Sequence, residues 1–116
     1  MSPELLTIDF VLHDEGHVTL CLAGEIDMST APKLREAALN ALHQYGPNLH
    51  LDLSRVEFMD STGLEVLIAT RRRAKLEGGR FHLVDPGQAV LRVIEVSGLA
   101  RLFQIYDEDS ELADLG

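Results

Sequence analysis

Cysteine is nearly absent: Cys21 stands alone, so the chain can close no internal disulfide and build no cysteine-based zinc centre. Positive charge is scarce as well. Ten Lys and Arg against nineteen Asp and Glu leave a formal charge of −9, which works against any long contact with a phosphate backbone, and nucleic acid is not an expected partner. No apolar run approaches the roughly 20 residues that cross a bilayer, and Met1 to Glu4 lack the basic start and apolar stretch of a signal peptide. The expectation is a soluble cytoplasmic chain with no membrane association. A nucleotide-binding loop is missing too, since Gly78-Gly79 runs into Arg80-Phe81 and no glycine-rich segment ends in Lys-Ser or Lys-Thr. What remains is 116 residues, 46% hydrophobic and 25% charged, the balance of one globular domain over residues 1–116 with its core at about 5–115.

Leu6, Ile8, Phe10 and Leu12 alternate with polar or smaller residues, and Val18, Leu20 and Leu22 resume the alternation after Asp14-Glu15-Gly16. That pattern predicts an antiparallel hairpin. Ser29 or Thr30 then offers a cap for a helix with Pro32 in its first turn, apolar at Leu34, Ala37, Ala38, Ala41, Leu42 and Tyr45, and ended by Gly46-Pro47. Leu49, Leu51 and Leu53 predict a third strand with one polar face, running to Ser54. A second helix starts around Ser61 to Gly63, turns Leu64, Leu67 and Ile68 inward, and ends near Gly78-Gly79. Phe81 and Leu83 give a fourth strand. Val90, Leu91 and Ile94 give a short helix closed by Ser97-Gly98, and Phe103 with Ile105 an edge strand. Asp107 to Glu111 reads as a solvated helix start, with Leu112 and Leu115 touching back onto the domain. Strands separated by helices demand parallel pairing and the opening hairpin an antiparallel one. The fold class is α/β, a mixed sheet of four to five strands with helices mainly on one face.

The chemistry-bearing residues concentrate where the third strand ends: Met59-Asp60-Ser61-Thr62-Gly63-Leu64. Capping is the simplest role for them, because Thr62 followed by Glu65 matches a capping box and Ser61 or Asp60 can serve the same helix end. A second role is a switch, in which phosphate on Ser61 lies beside free N–H groups at the positive end of the helix dipole. A hydrolytic role for Ser61 lacks the glycine that the serine elbow requires two residues earlier, where Met59 stands. Aspartate phosphorylation of the receiver type needs an acidic pair after a first parallel strand, whereas Glu25 and Asp27 follow a hairpin; a turn or cap is the plainer role of Asp27. His13 and His17 flank a turn, but two ligands without a third make a weak metal site, and solvated strand-end histidines are the expectation. His50 and Asp52 read as surface neighbours on one strand face, Cys21 as a small apolar side chain in the packing, and Arg71, Arg72 and Arg73 as a solvated helix face.

The string Met59 to Leu64 resembles the signature of STAS-domain anti-sigma factor antagonists; Gly24-Glu25-Ile26-Asp27 resembles the family's turn after its second strand, and Ser97-Gly98-Leu99 with Leu102-Phe103 its C-terminal pattern. Together these span nearly the whole chain in the right order. The resemblance implies a substrate and binding protein rather than an enzyme. Its unphosphorylated form would bind an anti-sigma factor that is itself a serine kinase and release the sigma factor, and phosphorylation of Ser61 would end that binding until a metal-dependent serine phosphatase restored it. Asp27, Asp60, Ser61, Thr62 and Gly63 would form the partner-binding surface, with Ser61 the phosphoacceptor and Thr62 an adjacent candidate. ATP and magnesium would belong to the partners, and the chain itself would need no metal or cofactor. Glu65 departs from the small residue expected in the family and adds negative charge beside the acceptor. Two other readings stand beside this one: a STAS module acting only as scaffold or ligand sensor, and a small hydrolase.

Overall fold

A computed structural model describes residues 5–106. It contains β1 (Leu6–Leu12), β2 (Val18–Ile26), α1 (Ala31–Tyr45), β3 (Leu49–Met59), α2 (Ser61–Leu76), β4 (Phe81–Val84), α3 (Gln88–Ser97), a single 3₁₀ turn at Ala100–Leu102 and β5 (Gln104–Tyr106). The helix expected after Asp107 lies outside the described residues. One five-stranded sheet runs β1-β2-β3-β4-β5, with β1 antiparallel to β2 and every other pair parallel. Each of the three helical crossovers therefore steps one strand in the same direction across the sheet. Because such crossovers are right-handed in nearly all folds, steps in one direction place their helices on one face.

The alternation of Leu, Val and Ile supplies that face. Leu20, Leu51 and Leu83 stand side by side in register on β2, β3 and β4, and all three are buried. Leu34, Ala38, Ala41 and Leu42 of α1, Leu64, Val66 and Leu67 of α2, and Val90 and Ile94 of α3 complete the same core. Burying each large aliphatic side chain contributes about 1.5–3 kcal/mol, so this single layer is the main source of stability. Cys21 and His50 point to the other sheet face, so Cys21 is half-buried beside the core instead of inside it.

β3 is longer than its alternation indicates. Between Cys21 and Ala23, and again between Gly24 and Glu25, β3 carries an extra residue relative to β2. These bulges break the two-residue period after Leu53, leaving Val56 and Met59 as the next buried positions. Asp52 Oδ1 holds the first bulge by accepting from the Ser54 N–H at 2.9 Å and the Ser54 hydroxyl at 2.7 Å. The consequence is functional: Met59 anchors in the core one residue before Asp60, and the chain leaves the sheet at a fixed angle. Gly24 permits the matching approach on β2, since its φ is +118° and a Cβ there would lie 2.1 Å from the Leu5 carbonyl oxygen.

Candidate functional site

Two loops meet at the C-terminal ends of β2 and β3, where the strands of an open parallel sheet deliver side chains to a crevice. The Asp60 N–H donates to the Ile26 carbonyl at 3.1 Å, tying the exit of β3 to the exit of β2. Beneath this joint lies Gly63, buried in the first turn of α2. A Cβ at that position would stand 2.6 Å from Met59 Cγ and 2.7 Å from Ile26 Cγ2, so the absence of a side chain lets α2 start directly against both strand ends.

Asp27 organises the first loop. Its Oδ1 accepts from the Ser29 N–H at 2.9 Å, the Ser29 hydroxyl at 2.8 Å and the Thr30 N–H at 3.1 Å. The Ser29 hydroxyl bond is the main reason that the carboxyl sits below the ordinary aspartate range, with the two backbone donors adding to it against a smaller opposing effect of desolvation. Thr30 occupies the cap position of α1, but its hydroxyl turns back to accept from the Asp27 N–H and donate to the Glu25 carbonyl, both at 2.9 Å. Asp27 thus has the turn role that its residue type suggests.

In the second loop the capping box expected from Thr62 and Glu65 does not form. Asp60 is the cap of α2: its Oδ1 accepts from the Thr62 N–H at 2.9 Å and from the Thr62 hydroxyl at 2.5 Å. Aspartate one residue before the helix has the shorter reach to this N–H, which leaves Thr62 to donate and Glu65 exposed on the helix surface. Ser61, at the first helical position, is exposed, and its hydroxyl has no hydrogen-bond partner among the described residues. The two neighbouring hydroxyls are therefore inequivalent.

Ser61 and Leu64 of α2 share an open groove of about 360 Å³ with Arg92, Val93, Val96 and Ser97 of α3. Val96 is 83% exposed, and Met28, in the Asp27 loop, 75%. Exposed apolar side chains beside a polar loop suit a protein contact. The residues of α3 were not singled out by sequence; the available signal is that Val96 falls off the stripe of Val90, Val93 and Ile94 and so must face elsewhere, while Val93 packs against the core at the edge of the groove.

Among the described residues no histidine comes to Ser61. His17 precedes β2, while His50 and His82 are the second residues of β3 and β4, which places them at the opposite end of the parallel strands; His43 lies in the last turn of α1, leading to that same end. A serine hydrolase needs a base within about 3 Å of its nucleophile, and the strand polarity places the histidines at the other end of the sheet. Arg72 and Arg73 line a second groove with Arg35, Leu39 and Ile68 between α1 and α2, so that basic stretch is partly a groove wall.

Comparison with known proteins places this arrangement. The family model described as Mlab, STAS domain, matches residues 10–105. The anti-sigma-B factor antagonist of Bacillus subtilis (strain 168) is 36% identical over 95 residues, 82% of this chain and 86% of that protein. A crystal structure of an anti-sigma factor antagonist from Mycobacterium paratuberculosis superposes with a TM-score of 0.81 at 38% identity, covering 98% of this chain and 93% of that one. The anti-sigma factor antagonist SpoIIAA in its unphosphorylated form gives 0.77 at 25% identity over 93% of each chain. SpoIIAA in its phosphorylated form, at 24% identity, has the same fold with a TM-score of 0.71 over 93% of this chain and 96% of that one. The chain belongs to the STAS-domain family, among relatives named as anti-sigma factor antagonists. Such relatives are regulatory binding proteins rather than enzymes. In the described residues no helix is long and apolar enough to cross a membrane.

Proposed function

We propose that this chain is an anti-sigma factor antagonist that binds an anti-sigma factor with serine kinase activity, and that phosphorylation of Ser61 switches the binding off. One observation carries the choice of residue: Ser61 offers an exposed, unpartnered hydroxyl at the N-terminus of α2, while the hydroxyl of Thr62 is engaged by Asp60. Phosphate on the first residue of α2 lies at the positive end of the helix dipole, which favours negative charge there even though the Thr62 and Gly63 N–H groups already donate to Asp60, so the domain tolerates it. The contact surface comprises Asp27, Asp60, Ser61 and Thr62 with the apolar groove beside them. Gly63 contributes from beneath by letting the two loops close. A phosphoserine brings about −1.5 to −2 charges to this surface, next to Asp60 and Glu65, and repels an acidic or apolar partner. A serine phosphatase reverses the modification, in the cytoplasm where sigma factors act; ATP and Mg²⁺ are the kinase's ligands.

Incubation with the cognate kinase, ATP and Mg²⁺ followed by phosphopeptide mapping tests the assignment. Phosphate on Ser61 is the expected result, and phosphate chiefly on Thr62 or elsewhere overturns it.

A further inference from the structure

At the end of the sheet remote from Ser61, four imidazoles form a row. The rings of His13 and His17 stack with centroids 4.1 Å apart, His17 stacks on His50 at 4.3 Å, and His50 meets His82 at 4.7 Å with its Nε2 3.0 Å from His82 Nδ1. Sequence alone offered only the first pair, without a third ligand. The hairpin supplies one. The His13 N–H donates to the His17 carbonyl and the Gly16 N–H to the His13 carbonyl, and Gly16 takes a φ of +90° to close the turn. That tight closure carries Glu15 to the same place as the two rings. One ligand atom each from His13, Glu15 and His17 lies within 4.8 Å of the other two.

We propose that His13, Glu15 and His17 bind a divalent first-row transition-metal ion of the zinc type. Two imidazoles and one carboxylate are the donor set of open, three-ligand zinc sites, where water takes the fourth position. Ligands at about 2.0–2.1 Å from zinc in tetrahedral geometry stand about 3.3 Å apart, so side-chain rotation within the exposed turn is enough to close the site. The carboxylate count argues against Ca²⁺ and Mg²⁺, which take oxygen ligands in larger numbers.

The surroundings favour an ion: the Thr19 hydroxyl lies 2.8 Å from His13 Nε2, holding that ring and leaving Nδ1 for the metal, the second contact that metal-binding histidines commonly make. With the chain at −9, a cation is also drawn to the protein. Bound there, an ion pins the β1–β2 hairpin without covering the Ser61 surface.

The test uses the full chain without a histidine tag, stripped with chelator and titrated with ZnCl₂ in a calorimeter, with MgCl₂ as comparison. One Zn²⁺ per chain is expected. His13→Gln, His17→Gln and Glu15→Gln should each weaken zinc at least tenfold, and His43→Gln should leave it unchanged. Glu15 is exposed on the turn, so its replacement probes the site without unfolding the domain, which far-ultraviolet circular dichroism verifies. Zinc binding no stronger than magnesium binding, or equal zinc affinity in Glu15→Gln and the parent chain, overturns the proposal.

Discussion

The Asp60 carboxylate accepts both the backbone N–H and the hydroxyl of Thr62, and Ser61, lying between them in sequence, is left with its hydroxyl in solvent. A cap that engages the residue two positions on thereby selects the one it skips. Asp60→Ala removes the cap and releases Thr62. The expected outcome is a loss of about 1 kcal/mol in urea unfolding and, on incubation with kinase, phosphate divided between Ser61 and Thr62. Unchanged stability together with phosphate confined to Ser61 would show that the cap has no such selective role.

Gly24 and Gly63 are required for different reasons. At Gly63→Ala the new methyl meets two side chains, Met59 and Ile26, that can shift, and a cost of about 1–3 kcal/mol is expected. At Gly24→Ala it meets the Leu5 carbonyl with φ at +118°, where backbone must move and strain adds to the clash, so the loss should be larger. Denaturant unfolding of both variants checks the order. Equal, small losses would mean that the strand ends are looser than described.

Asp27 predicts an acid response. Its folded-state pKa is lowered chiefly by the Ser29 hydroxyl bond, so the stability that it contributes is present above the ordinary aspartate value, about 3.9, and is lost as pH falls through its lower folded value. Asp27→Asn keeps an acceptor but loses the titration. The variant should be less stable than the parent at neutral pH, with the difference narrowing as the parent is acidified. A difference independent of pH would remove Asp27 from the acid response.

Much of this was legible in the sequence, and the parts that were not have physical reasons. The sheet, the hairpin and all three helices follow from periodicities of 2 and 3.6 because a single apolar layer is buried, so each element carries one clear stripe. β3 escaped at its far end because bulges at Asp52 to Arg55 and Val56 to Phe58 shift the buried positions to Val56 and Met59. The loop residues of the site, Asp27 and Asp60 to Gly63, were visible as residue types. Their division of labour was not, since Asp60, Ser61 and Thr62 are all good caps and only the backbone direction at the end of β3 decides which one caps. His50 read as a surface neighbour of Asp52; its real neighbour is His82, set by the β3–β4 register that no local pattern encodes.

Strand polarity also makes a negative result meaningful. With the histidines at the far end of the sheet, the purified chain should hydrolyse neither simple esters nor nucleoside triphosphates. Turnover that follows the protein through purification and disappears in Ser61→Ala would contradict the placement of Ser61 as an acceptor and not a nucleophile.

Replacing the acceptor separates charge from fold. Ser61→Ala removes only an exposed hydroxyl, so stability should stay within about 0.5 kcal/mol of the parent while binding to the kinase becomes insensitive to ATP. Ser61→Glu carries about half the charge of phosphate and should bind less well, without matching the phosphoprotein. Equal kinase affinity for the two variants, measured calorimetrically, would contradict a switch based on charge at this position.

Titration of the cognate anti-sigma factor kinase with the parent chain, before and after stoichiometric phosphorylation of Ser61, tests the switch most directly. The account predicts a loss of about a hundredfold in affinity, roughly 2.7 kcal/mol, with the far-ultraviolet circular dichroism spectrum unchanged. Equal affinity of the two forms, or a phosphorylated chain that has lost its secondary structure, would contradict it.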